Sequence, residues 1–312
     1  MRILVVGAGA IGGYFGARLA AAGRDVTFLV RPARAEQLTR GLFVRSPKGD
    51  VSVAAPKVVT AATLREPFDT ILLSCKSFDL EGAMDSFAPA GRSVAGAVGP
   101  TTLILPMLNG MAHIEKLQAR FGAGAVLGGQ CQISSTLDAD GNVIHLNEAH
   151  YMSYGELDGR RTPRVEALDK SFTGAGFEAG LSDHVLQDMW EKWVFLATMA
   201  GMTCLMRAAV GDIEKAGATA IALALFEECS AVATTNDHPP RAVIGDRIRA
   251  TLTTPGSTLT ASMLRDIEGH KRTEHEHVLG DLFSRGGGAH TPILGICLAH
   301  LRAYEARRLR EA

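Results

Sequence analysis

The chain has 312 residues, enough for two domains of ordinary size that each bury a core. Its 32 Lys and Arg balance 33 Asp and Glu, a net charge of −1 at pH 7, so no nucleic-acid partner is indicated and a small molecule is the better expectation. Five cysteines, Cys75, Cys131, Cys204, Cys229 and Cys297, lack C-x-x-C spacing, which argues against a disulfide framework or zinc ribbon and for a reducing, cytoplasmic setting.

The first thirty-one residues organise the rest. Arg2 to Val6 reads as a short apolar strand that breaks at Gly7. Gly7, Gly9 and Gly12 then stand in G-x-G-x-x-G spacing before an Ala-rich helical stretch that stops at Gly23, and a second strand runs from Asp25 to Val30. Chemistry asks for glycine at each place: a tight turn, a close approach of backbone to a pyrophosphate, and close helix packing. Ala10 and Ile11 open the helix, whose free N–H groups and positive dipole end suit phosphate. The spacing alone is a weak signal in a glycine-rich chain; strand before and helix after make it strong.

An NAD site usually places Asp or Glu about 20 residues past the glycines, whereas NADP needs a cation for its 2′-phosphate. Here the second strand ends in Arg31, with Arg34 beyond it, and Asp25 sits at the wrong end to compete. A solvated loop arginine is the plain alternative. The balance favours NADP(H).

Further along, two strand-like pieces within Leu42 to Val59 surround the turn cluster Ser46–Asp50. Asp69 to Ser74 is the next strand, ending at Cys75 and Lys76, with a helix expected over Asp79 to Phe87. Thr101 to Leu108 is strand-like and ends in Asn109-Gly110 before a helical stretch to Phe121. Ligands of open α/β sheets sit at the carboxyl ends of strands, which is where Lys76 and Asn109 fall. Taken singly, each has a bland reading as a loop lysine and an Asn-Gly turn residue. Val126 to Tyr154 stays extended around a turn at Asp138–Asn142, Thr162-Pro163 starts a helix to about Ala175, and Phe177 to Leu181 is a last strand.

Composition then shifts: 23 of the 34 glycines lie in residues 1–180 and 11 in the final 132. Helical patterns take over at Asp183 to about Ala200, Asp212 to Asn236, Pro239 to Thr251, Ser262 to Ser284, and from Thr291 onward. Gly286-Gly287-Gly288 reads as a connector, and the closing YEARRLREA as a solvated helical tail. The fold class expected is α/β, with an N-terminal Rossmann-type dinucleotide-binding domain over 1–182 and an all-helical domain over 183–312. The N-terminus shows no signal-peptide pattern, and the longest apolar run, Trp193 to Met206, is too short for a bilayer, so no membrane association is expected.

In the helical part, Lys192, Leu196 and Ala200 share one helix face at i, i+4 and i+8, and Lys192 enters the apolar run. Such a lysine either snorkels to solvent or points into a cleft. On a continuous helix His270, Glu274 and His277 would also share a face, but their pattern is not that of a zinc site and no metal is expected.

Together, GAGAIGGYFGARLAAAG, the strand-end Lys76, Asn109-Gly110-Met111, Trp190-Glu191-Lys192, Ser262-Met263-Leu264-Arg265-Asp266, Thr273-Glu274 and Thr291-Pro292 resemble, in order and over nearly the whole length, the ketopantoate reductase (2-dehydropantoate 2-reductase) family. The resemblance implies an NADPH enzyme whose helical domain closes over the nicotinamide. It further implies that Lys76 and Asn109 contact cofactor and substrate, that Lys192 is the proton donor, that Ser262 binds the substrate carboxylate, and that Glu274 orients lysine and substrate. The chemistry agrees, since hydride transfer to a ketone leaves negative charge on oxygen that a nearby ammonium stabilises and protonates.

The chain departs from the family where asparagines usually follow the lysine by one and two turns; here stand Leu196 and Ala200. That favours a 2-keto acid more apolar or bulkier than ketopantoate. The partners expected are this small substrate and, as an assembly, a second copy in a homodimer. A different class, an NADP(H)-binding sensor without turnover, remains open, and retention of Lys192 with Glu274 favours the enzyme.

Overall fold

Short runs rich in β-branched and aliphatic residues build the first sheet, and their apolar centres are buried while polar residues gather toward the strand ends. The computed structural model describes residues 1–88, 97–287 and 291–311. The chain divides into two compact units, Met1–Leu108 with His113–Leu186, and Asn109–Ala112 with Gln187–Ala312.

In the first unit, strand β1 (Arg2–Val6) leads through helix α1 (Ala10–Ala21) to β2 (Asp25–Leu29) and a short α2 (Pro32–Leu38). Then come β3 (Leu42–Arg45), β4 (Val51–Val53), β5 (Lys57–Val59), β6 (Phe68–Leu73), α3 (Leu80–Phe87), β7 (Val98–Pro106), α4 (Ala112–Phe121), β8 (Gly128–Leu137), β9 (Val143–Gly155), α5 (Pro163–Phe172) and β10 (Glu178–Leu181). Strands β5, β2, β1, β6 and β7 form, in that order, an all-parallel sheet. A second sheet runs β10, β9, β3, β4, with the long β8 paired antiparallel to β9.

The two strand-like pieces expected around residues 46–50 are the antiparallel hairpin β3–β4 of the second sheet, while β5, just beyond, returns to the first. Helix α1 is buried all round because it meets both sheets. A methyl on Gly16 would lie 2.5 Å from the Phe28 ring of β2, and one on Gly13 would lie 2.9 Å from Val143 of β9. Glycine there is a packing requirement. Tyr14, Phe15, Phe28, Tyr154 and Phe172 fill the core of this unit.

The second unit is helical: α6 (Val185–Met206), whose first two residues belong to the first unit, then α7 (Val210–Lys215), α8 (Thr219–Thr235), α9 (Ala242–Leu252), α10 (Ser262–Glu268), α11 (Asp281–Arg285) and α12 (Pro292–Glu311). Helix α6 carries the apolar run and is its core, with Trp193, Val194, Ala197 and Cys204 fully buried. The hydroxyls of Thr198 and Thr203 donate to the carbonyls of Val194 and Met199 one turn back, so burial leaves neither unsatisfied. Among the described residues no helix is long and apolar enough to cross a membrane.

Three sequence expectations are corrected here. The helix expected over Asp212–Asn236 is two helices, broken at Gly217, whose φ of +77° favours glycine. The helix expected over Ser262–Ser284 stops at Glu268; Gly269 and His270, the latter at φ +53°, turn the chain, and a π-helical stretch over Glu276–Gly280 leads into α11. His270, Glu274 and His277 therefore share no helix face. The tail expected to be solvated carries Glu305, which is buried. Gly288 of the expected connector lies outside the described residues.

Candidate active site

The loop after β1 is shaped for a diphosphate. Gly7 has φ +94° and donates its N–H to the carbonyl of Leu29 at 2.9 Å, while the Ser74 hydroxyl at the end of β6 bonds the carbonyls of Val6 and Gly7 at 3.0 and 3.1 Å. A Cβ on Gly12 would fall 2.1 Å from both the Gly7 carbonyl and the Ser74 hydroxyl, so no other residue fits. A Cβ on Gly9 would meet nothing within 4 Å. Gly9 is thus not demanded by packing within the chain; its bareness leaves backbone accessible. It is the N-cap of α1 and no side chain caps the helix, which leaves the N–H groups at Ala10 and Ile11 to a ligand. An open glycine, a Cβ-excluding glycine and an uncapped helix start together fit a dinucleotide's phosphates.

At the end of β2, Arg31 stands outside the sheet with its side chain 79% exposed, and its Nη2 meets Asp79 Oδ1 at 2.7 Å. Arg34 turns inward instead, donating from Nε to the Ala8 carbonyl at 3.0 Å and from Nη1 to Gln37 at 3.0 Å. It braces the glycine loop. Asp25, at the other end of β2, is paired with Lys57 at 2.7 Å. Lys76 is exposed, just before the short 3-10 turn Ser77–Asp79.

The second unit carries the other group. Lys192 is half-buried on α6 between two anchored neighbours. Before it, Glu191 is 4% exposed and accepts from Gln187 at 3.2 Å and from Arg241 through its backbone N–H and Nε, both at 2.8 Å, with Arg241 Nη2 also closing on the carboxylate. Burial alone would raise the Glu191 carboxyl, but these Arg241 bonds hold it below the usual carboxylate range. Arg241 also reaches Asp188 at 2.6 Å, and its own ionisation is pushed up by the Glu191 bond. After it, Trp193 donates Nε1–H to the Val278 carbonyl at 2.8 Å, inside the π-helical stretch where the regular helix ladder is displaced.

Glu274 lies in the irregular stretch ahead of that π turn and is half-buried. Its neighbour Thr273 is fixed by Glu305 of α12, which accepts the Thr273 backbone N–H at 2.6 Å and its hydroxyl at 3.0 Å. The Thr273 hydroxyl also lies 2.9 Å from Nδ1 of His275, whose Nε2 is 3.3 Å from Glu276. Glu276 is paired with Arg302 at 2.6 Å. Helix α12 therefore grips Glu274 on both sides in sequence.

Asn109 is half-buried, and Gly110 beside it has φ +75° and no room for a side chain, a Cβ there lying 2.8 Å from the carbonyl of His277. This segment, Asn109–Ala112, groups with the helical unit. Ser262 is exposed at the first turn of α10, Leu196 is half-buried, and Ala200 is 3% exposed. The structure thus collects Gly7, Gly9, Ala10, Ile11, Gly12, Arg31 and Lys76 on the first unit, and Asn109, Lys192, Leu196, Ala200, Ser262 and Glu274 on the second.

Sequence reading missed Asp79, Ser74, Glu191 with Arg241, and Glu305. Only Asp79 left a signal, an acid three residues past the strand-end lysine. The others depend on contacts between residues from 32 to 68 positions apart.

A Rossmann-like parallel sheet followed by a helical unit is the architecture of a class of dinucleotide-dependent oxidoreductases. Comparison with known proteins gives the family. The ketopantoate reductase PanE/ApbA profile matches residues 3–159, and its C-terminal counterpart matches 184–305. The chain belongs to this family of 2-keto acid oxidoreductases, which bind nicotinamide dinucleotides.

It is 36% identical to the uncharacterized oxidoreductase YkpB of Bacillus subtilis, over 99% of this chain and 100% of that one. The crystal structure of 2-dehydropantoate 2-reductase from Methylococcus capsulatus superposes with a TM-score of 0.85 at 27% identity, covering 99% of this chain and 98% of the other. A D-mandelate dehydrogenase, solved with NADH and anilino(oxo)acetate, shares the fold with a TM-score of 0.85 at 20% identity, over 99% of each chain.

Proposed function

We propose that the chain is an NADPH-dependent reductase that converts a 2-keto acid to the 2-hydroxy acid, with a substrate more apolar or bulkier than ketopantoate. The observation that carries the reading is the double anchoring around Lys192 and Glu274. Trp193 ties α6 to the π turn that follows Glu274, and Glu305 holds Thr273 just before it. A sensor without turnover has no evident need for a lysine and a glutamate positioned from both sides.

Bound reduced nicotinamide supplies the hydride. The chain's part is to place the keto acid and manage charge and proton. Lys192 Nζ stabilises the oxyanion that develops at the ketone and gives it a proton, while Glu274 keeps the ammonium oriented. Ser262 and Asn109 hold the polar end of the substrate. Arg31, Lys76 and the Gly7–Gly12 loop hold the cofactor, with Arg31 favouring the 2′-phosphate. Leu196, one turn past Lys192, gives an apolar side chain of the substrate a surface to bury.

Lys192→Ala tests the reading. Turnover of 2-keto acids should fall by about 100-fold or more, the usual contribution of a general acid, with NADPH affinity near normal. Glu274→Ala should be damaging but largely non-additive with it. Turnover within a few-fold of the parent would show that Lys192 only snorkels to solvent.

A further inference from the structure

Strands β2 and β6 flank β1 in the parallel sheet, and the chain leaving each carries one partner of an ion pair. Arg31 follows β2 and Asp79 follows β6, and their 2.7 Å contact joins the segments beyond the carboxyl ends of both neighbours of β1, the strand that feeds the glycine loop. In an open parallel sheet the nucleotide binds outside these ends. Arg31, the cation at the end of β2 that the NADPH reading assigns to a 2′-phosphate, is therefore already held by a carboxylate.

Among the described residues the Asp79 carboxylate meets Arg31. Asp79 is the N-cap of α3, where an aspartate ordinarily accepts from the first-turn N–H groups, yet it makes no side-chain cap bond. Its carboxylate turns to Arg31 instead. Both side chains are exposed, 79% and 37%, and an ion pair so exposed adds little to stability. Its consequence falls on ligands. A dianionic 2′-phosphate would have to share Arg31 with a like charge or displace it, whereas a ribose 2′-hydroxyl meets no repulsion from the acid.

We propose that Asp79 is a cofactor-specificity residue: by occupying Arg31 and opposing the 2′-phosphate, it narrows the preference for NADPH over NADH that Arg31 alone would create. The inference rests on the NADPH reading above and deepens it. Asp79 acts through Arg31, so its effect belongs to the phosphorylated ribose and to nothing else on the cofactor.

Direct binding separates the two ideas. Dissociation constants of the whole protein are measured by calorimetry for NADPH, NADH, adenosine 2′,5′-bisphosphate and AMP, in the parent, Asp79→Asn, Arg31→Ala and the double variant. In Asp79→Asn, NADPH and the bisphosphate should bind roughly three- to ten-fold tighter, more so at low than at high salt, while NADH and AMP gain nothing. In the Arg31→Ala background the same change should give less than two-fold. The inference is overturned if Asp79→Asn leaves NADPH affinity unchanged, strengthens NADH equally, or keeps its gain without Arg31. If the parent binds neither NADPH nor the bisphosphate more tightly than their unphosphorylated counterparts, and Asp79→Asn creates no preference, the NADPH reading fails with it. A preference appearing only in Asp79→Asn would support Asp79 as the determinant and correct the reading.

Discussion

Under the proposed function, Leu196 is the residue on which substrate choice would turn. It stands one helical turn from Lys192 and is half-buried, while Ala200, a further turn on, is 3% exposed in the free chain. A polar substrate loses about 0.5 to 1.5 kcal/mol for each neutral hydrogen bond that Leu196 cannot make, and burying its hydroxyl unsatisfied costs about 1 to 3 more. An apolar substrate gains about 0.8 kcal/mol for each CH₂ it buries there. Ketopantoate should accordingly be a poor substrate beside 2-keto acids with branched or aromatic side chains. Leu196→Asn should raise kcat/KM for ketopantoate by roughly ten-fold or more and lower it for apolar substrates. The comparison is steady-state kcat/KM across a panel of 2-keto acids in both proteins. Ketopantoate as the best substrate of the parent would mean that another side chain supplies the missing contacts.

Among the elements, the start of α1 separates what packing demands from what a ligand demands. Gly12 is excluded from change by its own chain, since a Cβ would sit 2.1 Å from the Gly7 carbonyl. Gly9 is not, because nothing lies within 4 Å. Gly12→Ala should therefore destabilise the protein by about 1 to 3 kcal/mol, the usual cost of overpacking. Gly9→Ala should cost about 1 kcal/mol or less, the price of alanine at an N-cap, yet weaken dinucleotide binding markedly because backbone can no longer approach the diphosphate. Thermal unfolding without ligand and titration with NADPH distinguish the two. Equal loss of stability in both variants, with unaffected binding in Gly9→Ala, would remove the assignment of the loop to phosphate.

For the molecule as a whole, buried and half-buried histidines bear on stability in mild acid. Burial lowers the ionisation of His150 in the first unit, with Arg18 adding to it, and of His238, His275 and His300 in the second. Each is neutral when folded and takes up its proton more readily when unfolded, so the unfolded chain binds more protons just below the ordinary histidine range. Their contribution to stability is complete above about pH 6.5 and is lost as pH falls from there toward the folded values. Carboxylates such as Glu156 and Glu191, held low by Arg164 and Arg241, act in the same direction but only at more acidic pH. The melting temperature should therefore already decline between pH 7 and 5, at about 2 to 4 °C for each kcal/mol lost. His150→Gln should flatten that decline. A melting temperature that is level over this range would contradict the histidine account.

Local pattern carried the cofactor half of the protein. A strand, three spaced glycines and a helix form one contiguous stretch whose chemistry is written in neighbouring residues, and Arg31 follows directly. The anchoring of Lys192 is of another kind. Glu191 needs Arg241, Trp193 needs the Val278 carbonyl, and Thr273 needs Glu305, partners 50, 85 and 32 residues distant. No periodicity announces such pairs. The same limit explains the tail. Polar, charged sequence reads as solvated surface, and only packing of α12 beside the Thr273 segment shows that Glu305 is buried there. It also explains the broken helix after Glu268, where helical composition runs on but a turn at Gly269 and His270 redirects the chain. Sequence by itself determined the strand–glycine–helix element and, through the family resemblance, singled out Lys192 and Glu274 with apolar Leu196 and Ala200 on the lysine's helix. Tertiary structure alone decided that Asp79 answers Arg31 and that Lys192 and Glu274 are held by flanking bonds, because both depend on distant segments meeting in space.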